Sequence, residues 1–453
     1  MTNLSFFPAR RKLIATSYTA RAVSGQLGNG AQLVNPVVDA QVASDREQSA
    51  PVGASSDDAA IRPFRFAVPE AALADLRNRI AAIRWPDRGL KSEHCQGTKA
   101  DRIRELVRYW GTHYDWRRAE AKLNALPVFV TRIDGLDIQF VHVRSRHPGA
   151  MPLVITDGRP GSIFELLEAV GPLTDPTSYG GRAEEAFDLV LPSMPGHGFS
   201  SKPHDPCWSS DRIARSWDIL MKRLGYKNYV ARGRDWGSVV TIAMAHQAPP
   251  GLLGIHVAMP AEATRSPNQA ERAPRRLSGI DRDMLDALGN LDKRRGPAAT
   301  MLTRRQTAGH ALADSPTGKV VWIYDRLAAW TDAGREPERR PSREDMLDSI
   351  TLCWLANSGT FSAQLYRENN DNNFHALDQR AEGISIPVAV TVFPGEIQRP
   401  PPNWTREAYR NLICFYETGQ DRQVVDWERP GPLAAEIRAA FSPLFLENDA
   451  RGD

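Results

Sequence analysis

Short apolar runs and longer stretches of helical period alternate along most of the chain. Between Pro69 and Pro86, Leu73, Leu76, Ile80 and Ile83 recur at three- and four-residue intervals and predict a helix, in a segment whose pattern reads as helical from Ile61. Ile103, Leu106, Val107 and Trp110 mark a second helix over Asp101–His113, and a third runs from Trp116 to Leu126. Strand patterns follow at Val128–Ile133 and Leu136–Val143, on either side of Asp134-Gly135, a strong turn pair. Further strands are predicted at Leu153–Thr156, Phe187–Leu191, Tyr229–Ala231 and Ile255–Met259, with helices at Arg212–Leu224 and Ser238–His246 among them. Apolar strands separated by helices predict an α/β fold, with a mostly parallel sheet covered on both faces.

The alternation stops near Pro260. Residues 261–380 are charged and favour helix, with helices at Lys319–Trp330 and Arg343–Asn357. Strands resume at Ile386–Phe393 and Leu412–Glu417, and Leu433–Phe441 forms a last helix. The simplest organisation is one sheet whose two parts, 128–260 and 381–453, flank a helical cap at 261–380, with a helical extension at 61–127 before them. Residues 1–60 lack either period. Arg10, Arg11, Lys12 and Arg21 precede the first acidic residue, Asp39, which fits a disordered basic leader or a twin-arginine export signal. Localisation therefore stays open between cytoplasm and export.

Composition narrows the classes of function. Over 453 residues, 57 basic and 54 acidic side chains leave a formal charge of +3, too small an excess for a chain that relies on neutralising nucleic-acid phosphates. The four cysteines are far apart and form no CxxC pair, so neither a metal cluster nor a disulfide framework is expected. No apolar run approaches the ~20 residues of a membrane-spanning helix. No cofactor is implied, because neither a phosphate loop nor a ligand cluster is present. Nothing excludes a homo-oligomer.

The candidate chemistry lies in Tyr229-Val-Ala-Arg-Gly-Arg-Asp-Trp-Gly-Ser238, where an apolar strand runs into Gly233-x-Asp235-x-Gly237 and then a helix. That is the pattern of a nucleophile elbow with Asp in place of Ser, which disfavours a serine esterase. A carboxylate held there can attack a saturated carbon and form an ester. An Asp that merely caps a helix fits the same spacing. Two further segments, Thr156-Asp-Gly-Arg-Pro-Gly-Ser162 and Ser193-Met-Pro-Gly-His-Gly-Phe-Ser200, follow apolar strands and resemble the oxyanion turn and the SxPGxGxS segment of α/β-hydrolases.

Together with Arg62-Pro-Phe-Arg65, Tyr109-Trp-Gly-Thr-His-Tyr-Asp-Trp116, Val392-Phe-Pro-Gly-Glu-Ile397 and Trp427-Glu-Arg-Pro430, these segments make residues 61–445 resemble the microsomal-type epoxide hydrolases. The resemblance implies an α/β-hydrolase fold, a small-molecule epoxide as substrate and Asp235 as nucleophile. It places the backbone N–H groups of Arg159 and Trp236 in the oxyanion hole, Tyr366 as one cap tyrosine and Glu396 as the acid that orients a histidine. The chain departs from the family where that histidine falls, at Gln423, and where the other cap tyrosine falls, at Pro297. Asp157 replaces the first residue of the HGWPG turn, Arg234 enters the elbow, and no histidine follows His375. His197, inside the SxPGxGxS segment, reads as structural.

An amide has no proton-accepting form near neutral pH, so Gln423 predicts slow ester hydrolysis. Three readings follow: an impaired epoxide hydrolase, an inactive descendant that binds ligands, and a haloalkane dehalogenase, which also carries Asp-Trp-Gly at its elbow. Tyr366 and the Phe-Pro-Gly-Glu segment favour the first.

Overall fold

The computed structural model describes residues 59–86, 100–158, 162–203, 208–259, 305–330, 342–358, 383–393, 405–406, 408–417 and 430–449, all within Asn35–Asp453. Nearly all of the leader, and positions Arg159, Pro297, Tyr366, Glu396 and Gln423, lie outside these residues.

The chain enters in extended form. Strand β1, Arg62–Pro63, pairs antiparallel with β2, Val128–Ile133, and Phe64 N–H donates to the Val128 carbonyl at 2.8 Å. The helical pattern expected from Ile61 therefore begins only at Glu70, since these residues are held as an edge strand, where proline costs no ladder bond. Helices α1 (Glu70–Ala81), α2 (Ala100–Thr112) and α3 (Trp116–Asn124) follow. Asp115 starts α3 by accepting from Arg117 N–H at 2.9 Å.

Strand β2 turns into β3, Leu136–Val143, through Asp134 and Gly135 at φ 48° and 82°. Two positive φ values in succession match the right-handed twist of the strands they join. Then come β4 (Met151–Thr156), a 3-10 turn (Ile163–Leu166), α4 (Leu167–Thr174), β5 (Phe187–Pro192), α5 (Ser210–Arg223), β6 (Tyr229–Gly233), α6 (Trp236–Gln247) and β7 (Leu252–Val257). Helices α7 (Arg305–Asp314), α8 (Pro316–Trp330) and α9 (Arg343–Leu355) precede β8 (Val388–Val392), β9 (Leu412–Glu417) and α10 (Pro430–Asp449).

Among the described residues the strands form one nine-stranded sheet in the order β1-β2-β3-β5-β4-β6-β7-β8-β9. From β5 through β9 every neighbouring pair is parallel, and only the β1–β3 end and its junction with β5 are antiparallel. The expected α/β sheet is what forms. Its two faces separate residue by residue: Leu153 and Ile155 join one buried cluster while Val154 joins the other, and Val230 divides from Tyr229 and Ala231 in the same way. Such a period of two, apolar on both sides, is that of a sheet covered on both faces. Helices α5 and α6 close one face, where Ile213, Trp217, Leu220 and Met221 form the buried stripe of α5. Each such side chain, taken fully from water, contributes about 1.5–3 kcal/mol.

On the other face, α9 is tied to the N-terminal helices. Trp110 Nε1–H donates to Thr351 Oγ1 at 2.8 Å, and Asp348 accepts from Tyr114 Oη and Lys122 Nζ, each at 2.8 Å. Burial raises the Asp348 carboxyl above the usual range, against the pull of Lys122.

Candidate active site

Asp235 stands where β6 hands over to α6. Its backbone sits at φ 48°, ψ −122°, a conformation that costs a non-glycine residue about 1–3 kcal/mol and persists only where the surroundings impose it. The surroundings do. A Cβ on Gly233 would fall 2.1 Å from the Gly237 carbonyl oxygen, and one on Gly237 would fall 1.9 Å from that of Thr156, so glycine on both sides of the turn is a steric requirement. Ser238 locks the turn from below: its Oγ–H donates to the Gly233 carbonyl at 2.8 Å and its oxygen accepts from Met259 N–H at 3.2 Å.

Two readings of Asp235 were open in the sequence, a helix cap and an elbow nucleophile. Asp235 occupies the N-cap position of α6, but its side chain makes no capping hydrogen bond. The carboxylate is thus carried on a strained turn at the amino end of a buried helix, whose dipole favours negative charge. Trp236, the next residue, is 1% exposed.

The loop after β4 lies against the elbow. A Cβ on Gly158 would stand 2.4 Å from Asp235 Cβ, so this loop passes the carboxylate at backbone contact distance. Gly158 N–H donates to Asp157 Oδ1 at 2.7 Å, so part of the Asp157 carboxylate is folded onto its own loop. Arg234 is 5% exposed, and its backbone N–H reaches the Thr156 carbonyl at 3.4 Å. Trp217 Nε1–H donates to Thr156 Oγ1 at 2.9 Å and fixes the end of β4 to α5.

The segment after β5 also follows backbone demands. Gly196 and Gly198 take φ 73° and 52°, and Ser200 Oγ–H donates to the Ser193 carbonyl at 2.8 Å. His197 between them is buried, and Nδ1 lies 2.8 Å from the Pro195 carbonyl. A carbonyl only accepts, so Nδ1 carries a proton there. Of the site residues expected from sequence, Asp235, Trp236 and Asp157 are thus brought to the carboxyl ends of β4 and β6; the rest lie outside the described residues.

Sequence reasoning passed over Gly158, whose missing side chain admits Asp235, and a polar row buried beneath the elbow. Arg232 and His256 are register partners on β6 and β7, 1% and 0% exposed. His256 Nε2 lies 2.9 Å from Thr391 Oγ1 and 3.4 Å from Glu436 Oε1. Charged residues inside otherwise apolar strands were the available signal. Burial, with Arg232 adding to it, drives the His256 pKa well below 6.5. Above about pH 6.5 both folded and unfolded chains hold this ring neutral; below it only the unfolded chain takes the proton, so stability falls as pH falls. Between pH 7.5 and 5.5 stability is therefore expected to fall through His256. Denaturant titrations at both pH values check it: His256→Gln should flatten this part of the slope, and an unchanged slope refutes the assignment.

Comparison with known proteins gives the family and the fold. Residues 61–166 match the family described as epoxide hydrolase N terminus, and residues 152–296 that described as alpha/beta hydrolase fold. Over 384 residues the chain is 42% identical to a Stigmatella aurantiaca (strain DW4/3-1) protein carrying the epoxide hydrolase name, with 85% of each chain aligned. The chain belongs to the epoxide hydrolase family. It is also 31% identical to epoxide hydrolase 1 of Oryctolagus cuniculus, over 87% of this chain and 94% of that one. The α/β-hydrolase fold is shared with the juvenile hormone epoxide hydrolase of the silkworm Bombyx mori, at TM-score 0.75 and 25% identity over 87% of this chain and 96% of that one. Within the epoxide hydrolase family, the match to the N-terminus description spans α1–α3, β1–β4 and the loop that abuts Asp235.

Proposed function

We propose that the chain opens epoxides through an ester on Asp235 and hydrolyses that ester slowly. The observation that carries this reading is Asp235 itself, held at φ 48° on a turn where Gly233 and Gly237 are both steric requirements. In the first step a carboxylate oxygen of Asp235 attacks a ring carbon, the carbon–oxygen bond breaks, and the departing oxygen takes a proton. Tyr366 is the proposed donor of a hydrogen bond to that oxygen, with no second tyrosine because Pro297 occupies its position. In the second step water attacks the ester carbonyl, backbone N–H groups of Trp236 and Arg159 stabilise the oxyanion, and the carboxylate and diol are released. Glu396 is the proposed orienting acid, but the group it should orient is Gln423, which cannot take the water's proton. Loss of a general base typically costs ~10²–10⁴-fold in the step it serves.

The test is intact-mass measurement after incubation with an aryl epoxide, with diol measured in parallel and Asp235→Ala as control. The expected result is a single adduct, mapped to the peptide bearing Asp235 and absent from the control, with slow release of diol. Normal diol turnover without adduct would mean that another base acts and would end the stalled-ester reading. Neither adduct nor diol would favour the second reading, a ligand-binding descendant, to which the changes at Gln423, Pro297 and Asp157 also point. Halide release from chloroalkanes would instead restore the dehalogenase reading, which the epoxide hydrolase names of the matched relatives disfavour.

A further inference from the structure

We propose that Ser349, on α9, is a positioning residue that fixes the loop facing Asp235 through its hydrogen bond to Ser162. The connection from β4 to the 3-10 turn is short, and both of its described ends are pinned. At its start Gly158 lies against Asp235. At its end the Ser162 and Ser349 hydroxyl oxygens are 2.6 Å apart, and Ser162 Oγ also accepts from Phe164 N–H at 3.3 Å, capping the 3-10 turn. Ser349 is 5% exposed, so its side of the part-buried pair is shielded from water.

What makes this a transmitted constraint is the way α9 is held. Glu344, Asp348 and Thr351, at the spacing of one helix face, accept from Tyr109, Tyr114 with Lys122, and Trp110 respectively. Ser349 lies one residue round the helix from that face. The N-terminal helices therefore set α9, and α9 sets Ser162. Through α9 the N-terminal extension thereby holds the loop that passes the carboxylate.

The experiment compares the full chain with Ser349→Ala, Ser162→Ala and the double variant. Hydrogen exchange over residues 157–170 is expected to be roughly fivefold faster in Ser349→Ala, the share of one ordinary hydrogen bond, and at least as much faster in Ser162→Ala and the double variant, which also lose the cap on Phe164 N–H, with α2 and α3 unchanged. Both single variants remove the Ser162–Ser349 bond. Ser349→Ala leaves the cap on Phe164 N–H intact and so isolates that bond, and Ser162→Ala is the second arm should Ser349→Ala fail to fold. Unchanged exchange over this segment, or a rise spread evenly through α2, α3 and α9, overturns the proposal. A second arm rests on the epoxide reading: ester formation on Asp235 should slow by about fivefold at unchanged KM. If the wild type yields neither adduct nor diol, that reading falls while the exchange result still decides the role of Ser349.

Discussion

Gln423→His is expected to accelerate breakdown of the Asp235 ester by roughly 10²–10⁴-fold. The reasoning is chemical. Water must lose a proton as it attacks the ester carbonyl, and an amide offers no basic lone pair near neutral pH, whereas imidazole does. The resemblance places Glu396 to orient whatever occupies position 423, so the substitution adds the missing group to a partner already proposed there. The adduct would be formed in a single turnover with an aryl epoxide, and its decay followed by intact mass. A pH profile supplies the signature: in the variant, decay should fall as pH drops through about 6.5, because only neutral imidazole accepts the proton. The wild type should lack that limb. Adding Pro297→Tyr should hasten adduct formation rather than decay, since a second phenol acts on the departing ring oxygen. An adduct that forms normally yet decays no faster in the Gln423→His variant than in the wild type would refute the account of the second step.

The framework of this fold was legible because most of it rests on periodicity. Leu153, Val154 and Ile155 announce a strand buried on both faces, and both faces are occupied. Asp134-Gly135 announces a hairpin, and both residues take positive φ. The elbow was legible because two steric requirements, at Gly233 and Gly237, leave their mark as glycine at fixed spacing. What escaped has no local signature. A two-residue strand at Arg62–Pro63 has no period, and α4 carries Pro172 inside eight residues, which masks its helical pattern. Helix α10 extends from Pro430 to Asp449, beyond the predicted Leu433–Phe441 at both ends, and continues through Pro443.

The same distinction separates the parts of the site. Asp235 is recognisable because its turn constrains its neighbours in sequence. The Ser162–Ser349 pair joins positions 187 residues apart, and each serine alone is an ordinary polar residue on an ordinary element. Tyr114 and Asp348 are likewise inconspicuous until the fold brings them together across 234 residues. Long-range polar pairs carry no periodicity, so only the three-dimensional arrangement reveals that the N-terminal helices and the loop beside the carboxylate are mechanically connected.

Gly237→Ala is expected to destabilise the fold by about 3 kcal/mol or more, at the upper end of overpacking costs. The new methyl would need the space of the Thr156 carbonyl, whose oxygen would be 1.9 Å and carbon 2.6 Å away. Neither is a flexible side-chain end that can rotate aside. Thr156 ends β4, which is bonded to β5 on one side and β6 on the other, and its hydroxyl is held by Trp217. Relief must therefore come from lifting the start of α6 away from β4, which moves Asp235 with it. Gly135→Ala provides the contrast: φ is 82° but nothing lies within 4 Å, so only the conformational cost of about 1–2 kcal/mol applies. Gly431→Ala has neither penalty, and alanine there should be neutral or stabilising by a few tenths to about 1 kcal/mol. Denaturant unfolding of the three variants ranks them. A Gly237→Ala protein as stable as Gly135→Ala would mean that the elbow and β4 separate easily, and the strain at Asp235 would then have no scaffold to impose it. A stable Gly237→Ala protein that no longer forms an adduct would instead show that the turn yields by displacing the carboxylate.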